Sequence, residues 1–189
     1  MVMETGVPVK VVGMGGSLAP VSKSLAALKV ALRGAEKAGA DVELFDIRLL
    51  DLPLYAPNLQ APEAALRMCE AVHSAEGLIW SSPMYHGTIS GSFKNALDWL
   101  ELLRDRDPPY LKDKIIGLAS TAGGVHGLQA VNTMEFVVRA LRGFAVPLVV
   151  PVAKVRQVFD KEGEPLDAAV EAQLESLGRE VAGICLHRR

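Results

Sequence analysis

Apolar positions along the chain follow two periods. Val9 to Met14, Gly77 to Ser81, Lys114 to Ser120 and Val146 to Val152 are runs of mostly apolar, often β-branched residues, the pattern of strands covered on both faces of a parallel sheet. Asp41 to Ile47 makes a further strand, the second in chain order, with Val42, Leu44 and Asp46 set against Glu43 and Phe45. Between the runs the apolar spacing changes to three and four. Leu25, Leu28, Leu32 and Ala35 stripe a helix from about Val21 to Ala38, closed by Gly39. Further helices are predicted over Glu63 to Ala75, Gly91 to Leu103 and Leu128 to Leu141, and a last one carries Val170, Leu174, Leu177, Val181 and Ile184 on one stripe. Pro147 and Pro151 assign the fifth strand to an edge, since proline cannot donate to a ladder. Five strands alternating with five helices predict an α/β three-layer sandwich with a parallel sheet, in one domain over 1–189.

Composition narrows the choice of partners. Half of the 189 residues are apolar and 22% are charged, and the formal net charge is −2 with no long basic run. Nothing in that balance recruits a nucleic-acid backbone or an anionic membrane, so neither is an expected partner. Cys69 and Cys185 stand far apart without a CxxC pattern, so reduced core thiols are expected and an iron-sulfur ligand set is absent from the sequence. No apolar run approaches the roughly 18 residues of a membrane span. The opening MVMETGVPVKVVGMGG lacks the pattern of a secretory leader, and a cytoplasmic protein is expected.

In an open parallel sheet, ligands bind beyond the carboxyl ends of the strands. Three loops fall there, 15–24, 82–91 and 120–127. The first, from Gly15 to Ser24, brings Ser17, Ser22 and Ser24 to a predicted helix start, where free N–H groups, the helix dipole and hydroxyls favour a phosphate dianion. A dinucleotide fingerprint would need GxGxxG, but Gly13 and Gly15 are followed by Leu18 where the third glycine belongs; Asp46 keeps that reading open. A Walker A loop would need glycines where Ser17 and Ser22 stand. A capped helix start without a ligand also remains open.

The second loop settles more. PMYHGTISGSFKNALDW resembles the PxYxxxxSGxLKNAIDW signature of the NADPH-dependent FMN reductase family, with Phe93 in place of Leu and Leu97 in place of Ile. The first loop is similar to the family's GSxRxxS at Gly16, Ser17 and Ser22, but has Ala19 where the family has arginine, which removes a charge-assisted contact to phosphate; either affinity falls, or Lys23 or a residue from elsewhere compensates. Ser120, Thr121, Gly123 and Gly124 resemble its third flavin loop, and DLPLY, with Tyr55 as a candidate lid, resembles a segment that covers the flavin. The resemblance implies a flavodoxin-like fold of strand order 2-1-3-4-5, bound FMN, and NADPH or NADH as co-substrate. It implies a quinone, flavin or similar small molecule as acceptor, and a homodimer or homotetramer with the helix from Asn95 to Leu103 near the interface. Trp99 is then an interface anchor or a core residue.

The FMN phosphate would rest on Ser17, Ser22 and Ser24 around Ala19. Pro83, Met84, Tyr85 and His86 would flank one side of the ring, and Ser120, Thr121, Gly123 and Gly124 the other. No side chain is expected to act as nucleophile or base, because the flavin carries the redox chemistry. His86 and His126 without a spaced carboxylate or thiol make a poor ligand set, so no metal is expected. No GxSxG elbow is present for a serine hydrolase. Two other readings remain: a flavodoxin-like electron carrier, and an α/β domain that binds a different nucleotide.

Overall fold

The computed structural model describes residues 7–189; the leader reading falls partly on residues 1–6, outside the described residues. Strand β1 (Lys10–Gly15) has five of its six residues buried because helices cover both of its faces. It pairs in parallel with β2 (Asp41–Asp46) on one side and β3 (Gly77–Tyr85) on the other. A two-residue strand, β4 (Thr88–Ile89), folds back antiparallel on the end of β3. Beyond β3 lie β5 (Ile115–Thr121) and then β6 (Phe144–Val152), both parallel to it. The order β2-β1-β3-β5-β6 is the expected 2-1-3-4-5 once the small hairpin strand is set aside.

One face of the sheet is covered by α1 (Lys23–Lys37) and the later α7 (Ala168–His187). The other carries α3 (Glu63–Ser74), α4 (Gly91–Asp98) with the 3-10 turns Trp99–Leu103 that extend it, and α5 (Gly127–Ala140). Two single-turn helices, α2 (Ile47–Leu50) and α6 (Val155–Val158), add to the five that were predicted. Helices α1 and α7 cross at backbone contact: a Cβ built on Gly178 would stand 1.8 Å from the Ala31 carbonyl oxygen. That crossing anchors α1, whose first turn faces the carboxyl edge of the sheet.

Three local expectations change. The buried residue of β2 is Phe45, 3% exposed, whereas Leu44 is 38% exposed; an edge strand is only partly covered by the helical layers. The helix predicted over Gly91 to Leu103 narrows to 3-10 geometry from Trp99 onward, and Trp99 itself is fully buried in the core rather than presented as an interface anchor. Strand β3 runs on past Ser81 through Tyr85, so much of the predicted second loop is a hairpin. Its turn residues His86 and Gly87 both have positive φ, 48° and 84°, the geometry that matches the twist of a tight hairpin. Pro147 and Pro151 do sit on an edge strand, and Pro147 falls where the β5–β6 pairing shifts register.

Candidate active site

The first loop is pinned before it reaches α1. Gly16 donates its N–H to the Ser81 carbonyl at 3.1 Å, and a Cβ on Gly15 would lie 2.3 Å from that same oxygen, so β1 and β3 meet here only without a side chain. Ser22 then caps α1, its Oγ accepting from Leu25 N–H at 3.2 Å. The three serine hydroxyls touch one another: Ser17 Oγ donates to Ser22 Oγ at 3.1 Å, and Ser22 Oγ lies 3.0 Å from Ser24 Oγ. Ala19 N–H closes the turn on Ser17 Oγ at 3.3 Å. Ser81 Oγ donates to the Ser24 carbonyl at 2.8 Å, a second tie between α1 and β3. Sequence spacing put these hydroxyls at the helix start, and the fold joins them into one donor cluster at its positive end.

The hairpin forms the second wall. Its base is locked by buried Ser82, which donates to Pro83 O at 3.0 Å and accepts from Ser90 N–H at 3.1 Å, while Ser90 caps α4 through Phe93 N–H at 3.2 Å. Its tip is open, with Tyr85 half exposed and His86 at the turn. The third wall is the loop after β5. Ala122 bonds to the end of β6 and to the turn beyond it, donating to Val152 O at 2.9 Å and accepting from Val155 N–H at 3.0 Å. Gly124 O accepts from Lys154 N–H at 2.9 Å. Among the described residues no protein acceptor takes the Gly123 and Gly124 amides, and a Cβ on Gly123 would point into open space.

These walls enclose a crevice of about 350 Å³. Of the twelve residues singled out from sequence, Ser17, Ala19, Ser24, Pro83, Met84, Tyr85, Thr121 and Gly123 line it. Ser22 stands directly behind, bonded to two of the lining hydroxyls. His86 and Gly124 flank the crevice without lining it, and Ser120 is buried, its hydroxyl donated to Gly127 O at 2.7 Å where α5 begins. Sequence reasoning missed Val155 and Arg156, which α6 adds to the lining. The signal was available: the stretch after β6 also leaves the carboxyl edge of the sheet.

Other sequence candidates have structural roles. Asp46 spends its Oδ1 capping α2 through Arg48 N–H at 3.0 Å, so the acid of a dinucleotide fingerprint is engaged locally. Tyr55 packs edge-on against Trp99 with ring centres 5.2 Å apart, and its N–H donates to Asn95 Oδ1 at 2.8 Å. Asn95 and Trp99 both donate to Pro53 O, at 2.9 and 3.0 Å, which staples this strap to α4 beside the crevice. Cys69 and Cys185 are free and buried in opposite layers of the sandwich, and burial pushes their thiols up to about 12 and about 11. No group of three or more potential metal-ligand side chains occurs among the described residues.

The crevice thus brings together linked hydroxyls at a helix start, an aromatic hairpin on one side and a glycine turn with unspent amides on the other, at the carboxyl edge of a flavodoxin-like sheet. The residues present fit FMN: hydroxyl donors gather at the start of α1, and Pro83, Met84 and Tyr85 share the crevice with an open glycine turn. Comparison with known proteins agrees. The NADPH-dependent FMN reductase family model matches residues 9–157, and the chain belongs to that family. It is 35% identical over 148 residues to the NADPH-dependent FMN reductase ArsH of Rhizobium meliloti, an alignment that covers 78% of this chain but only 60% of that protein. It is 30% identical to the NAD(P)H-dependent FMN reductase of Pseudomonas aeruginosa, across 89% of this chain and 93% of the relative. Among solved structures, the flavoenzyme NAD(P)H:(acceptor) oxidoreductase FerB of Paracoccus denitrificans superposes with a TM-score of 0.75 over 95% of this chain and 98% of that one; at 23% identity it bears on the fold.

Proposed function

We propose that this protein is an FMN-dependent NAD(P)H oxidoreductase, a single flavodoxin-like domain over 1–189, that passes hydride from a reduced nicotinamide to bound flavin and on to a quinone, flavin or similar small acceptor. The observation that carries the reading is the junction of three loops on one crevice, with Ser17, Ser22 and Ser24 in hydrogen-bond contact at the start of α1. When bound, FMN supplies the redox chemistry, accepting hydride and releasing two electrons. The chain supplies position and field. Ser17, Ser22 and Ser24 hold the phosphate together with the first amides of α1. Pro83, Met84, Tyr85 and His86 flank one edge of the ring. Thr121, Gly123 and Gly124 flank the other, where the unspent amides offer N–H donors to the negative charge of a reduced ring. Ser120 supports that loop by fixing the start of α5.

Association into a homodimer or homotetramer belongs to the same reading. A hairpin tip with Tyr85 half exposed leaves room for a partner to complete the crevice and exclude water. Light scattering on the purified protein measures that state. No helix among the described residues is long and apolar enough to cross a membrane. Two buried, unpaired thiols accord with the reducing cytoplasm, where we place the protein.

The test begins with the absorption spectrum of the purified protein and an FMN titration, followed by NAD(P)H oxidation with an added quinone or free flavin. The expected result is a yellow protein that consumes reduced nicotinamide only when an acceptor or oxygen is present. A yellow protein that leaves NADPH and NADH untouched is an electron carrier. A colourless one that takes up no FMN uses the crevice for another nucleotide.

A further inference from the structure

We propose that Arg156, carried by α6, supplies the positive charge that position 19 lacks and holds the phosphate end of the nucleotide. The inference rests on the flavin reading above and adds to it a residue outside the three loops. A phosphate monoester carries close to two negative charges at neutral pH, and hydroxyls with backbone amides answer it only with neutral donors. A cationic side chain adds Coulomb attraction to such bonds, and a guanidinium can bond two phosphate oxygens in parallel. Two cationic side chains line the crevice, Lys23 and Arg156.

Lys23 is already engaged. Its ammonium donates to the Asp160 carbonyl. The carboxylate of Asp160 also lies in this turn, gathering the N–H groups of Glu162, Gly163 and Glu164 at 2.9, 2.7 and 2.8 Å, and the Lys23 charge helps to hold it ionised. Lys23 therefore fastens the segment after α6 to the first turn of α1 through a backbone carbonyl, which holds its ammonium at that turn.

Arg156 is exposed and forms no ion pair among the described residues. Its guanidinium presents a planar fork suited to two phosphate oxygens at once. The backbone beneath it is fixed on both sides. Lys154 and Val155 donate to Gly124 and Ala122, Leu166 returns a hydrogen bond to Val158 O at 2.7 Å, and Val158 and Phe159 are buried. A long side chain on a fixed base loses less freedom on binding than one on a mobile loop. The same hydrogen bonds hold the backbone beside Arg156 against the glycine turn, while Ser17, Ala19 and Ser24 line the same crevice.

The experiment compares FMN with riboflavin, which has the same ring and lacks the phosphate. Fluorescence titrations of apoprotein are run for wild type, Arg156→Gln, and Arg156→Gln combined with Ala19→Arg, which returns the cation to the first loop at an exposed position. Arg156→Gln is expected to weaken FMN about ten- to hundredfold and to leave riboflavin unchanged, and the added Ala19→Arg to recover most of the loss. FMN binding by Arg156→Gln equal to wild type overturns the assignment, as does an equal loss for both flavins, which would make Arg156 part of the general packing. Wild-type apoprotein that binds neither flavin overturns the flavin reading itself.

Discussion

The two ends of the sheet each carry a cavity with charged side chains in its lining. At the carboxyl end lies the crevice of about 350 Å³, and at the amino end one of about 270 Å³ lined by Glu76, Asp113, Lys114, Arg188 and Arg189 among others. By size and charge they compare closely, and the amino-end cavity holds more ionisable groups. Their polar groups differ in what they are already doing. At the amino end Glu76 accepts from Lys10 N–H at 2.8 Å and pairs with Arg189. Lys114 donates to the carbonyls of His73 and Ala75 at 2.8 and 2.7 Å. Arg188 donates to Asp113 O at 3.0 Å and lies over the Phe144 ring. These bonds knit the strand starts to the end of α7. In the crevice the hydroxyls bond mainly to one another, two glycine amides have no protein acceptor, and Arg156 is unpaired among the described residues. Lys112 at the amino end is also unpaired among the described residues, so what sets the crevice apart is the grouping of several open donors in one place.

The sharpest way to break this contrast is at the crevice's tightest backbone contact. Gly15→Ala places a Cβ 2.3 Å from Ser81 O, the oxygen that anchors Gly16 N–H, so the first loop must lift away from β3 and take its serines with it. FMN affinity is expected to fall at least about hundredfold. Overpacking should cost about 1–3 kcal/mol of stability, read by chemical denaturation. Affinity and stability both matching wild type would show that the loop is not held there.

Ser22→Ala has a smaller effect with the same two readouts. It removes the α1 cap and the middle member of the hydroxyl cluster. Loss of the cap costs about 1 kcal/mol, a fall of about 2–4 °C in Tm for a chain of this length. FMN binding should weaken about tenfold, as for one hydrogen bond to a charged group. An unchanged titration would remove Ser22 from the phosphate site. Gly123→Ala separates the readouts further: its Cβ meets no protein atom within 4 Å, so Tm should hold while the methyl group crowds a bound ring and lowers FMN affinity.

Much of this was legible in the sequence, for identifiable reasons. Strands covered on both faces, such as β1, leave uninterrupted apolar runs, and helices such as α1 leave stripes, so the layers and the edge position of β6 followed from periodicity and proline placement. Residues 15–24 and 83–85 were legible because their chemistry is local and falls at strand ends. What was missed is either too short to leave a period or is held by contacts distant in sequence. His86 is an unusual occupant of a positive-φ turn, so the hairpin of β3 and β4 gave little turn signal. A single helical turn such as α6 has no period to detect, so Arg156 came into view only when Ala122 and Gly124 were seen to hold its backbone against the third loop. The gap at Ala19 could be read directly; the group proposed to fill it could not.

Lys114→Met probes the other end and should give the smallest effect on ligand binding. The lysine is 5% exposed, and burial, opposed by the nearby charges of Glu76 and Cys185, brings its pKa down from 10.5 to about 8. Between those values the unfolded chain binds a proton that the folded protein has released, so this group makes stability rise with pH from about 8 to 10.5. Below about 8 both states are protonated, and the full cost of burying the ammonium is present. The two buried thiols act in the opposite direction, because each ionises in the unfolded chain from about 9 and later in the fold, at about 11 for Cys185 and about 12 for Cys69. Comparing wild type with Lys114→Met across the same pH series largely cancels the thiol contribution and isolates the lysine. Denaturation midpoints from pH 7 to 10 should show the wild type gaining stability on the variant as pH rises, while FMN titrations of the two proteins coincide at every pH. A gap between the variants that stays constant with pH would mean that Lys114 is not held as a costly buried cation. A shift in FMN affinity would mean that the amino-end junction is coupled to the crevice, and that the division between committed and uncommitted donors does not separate the two ends.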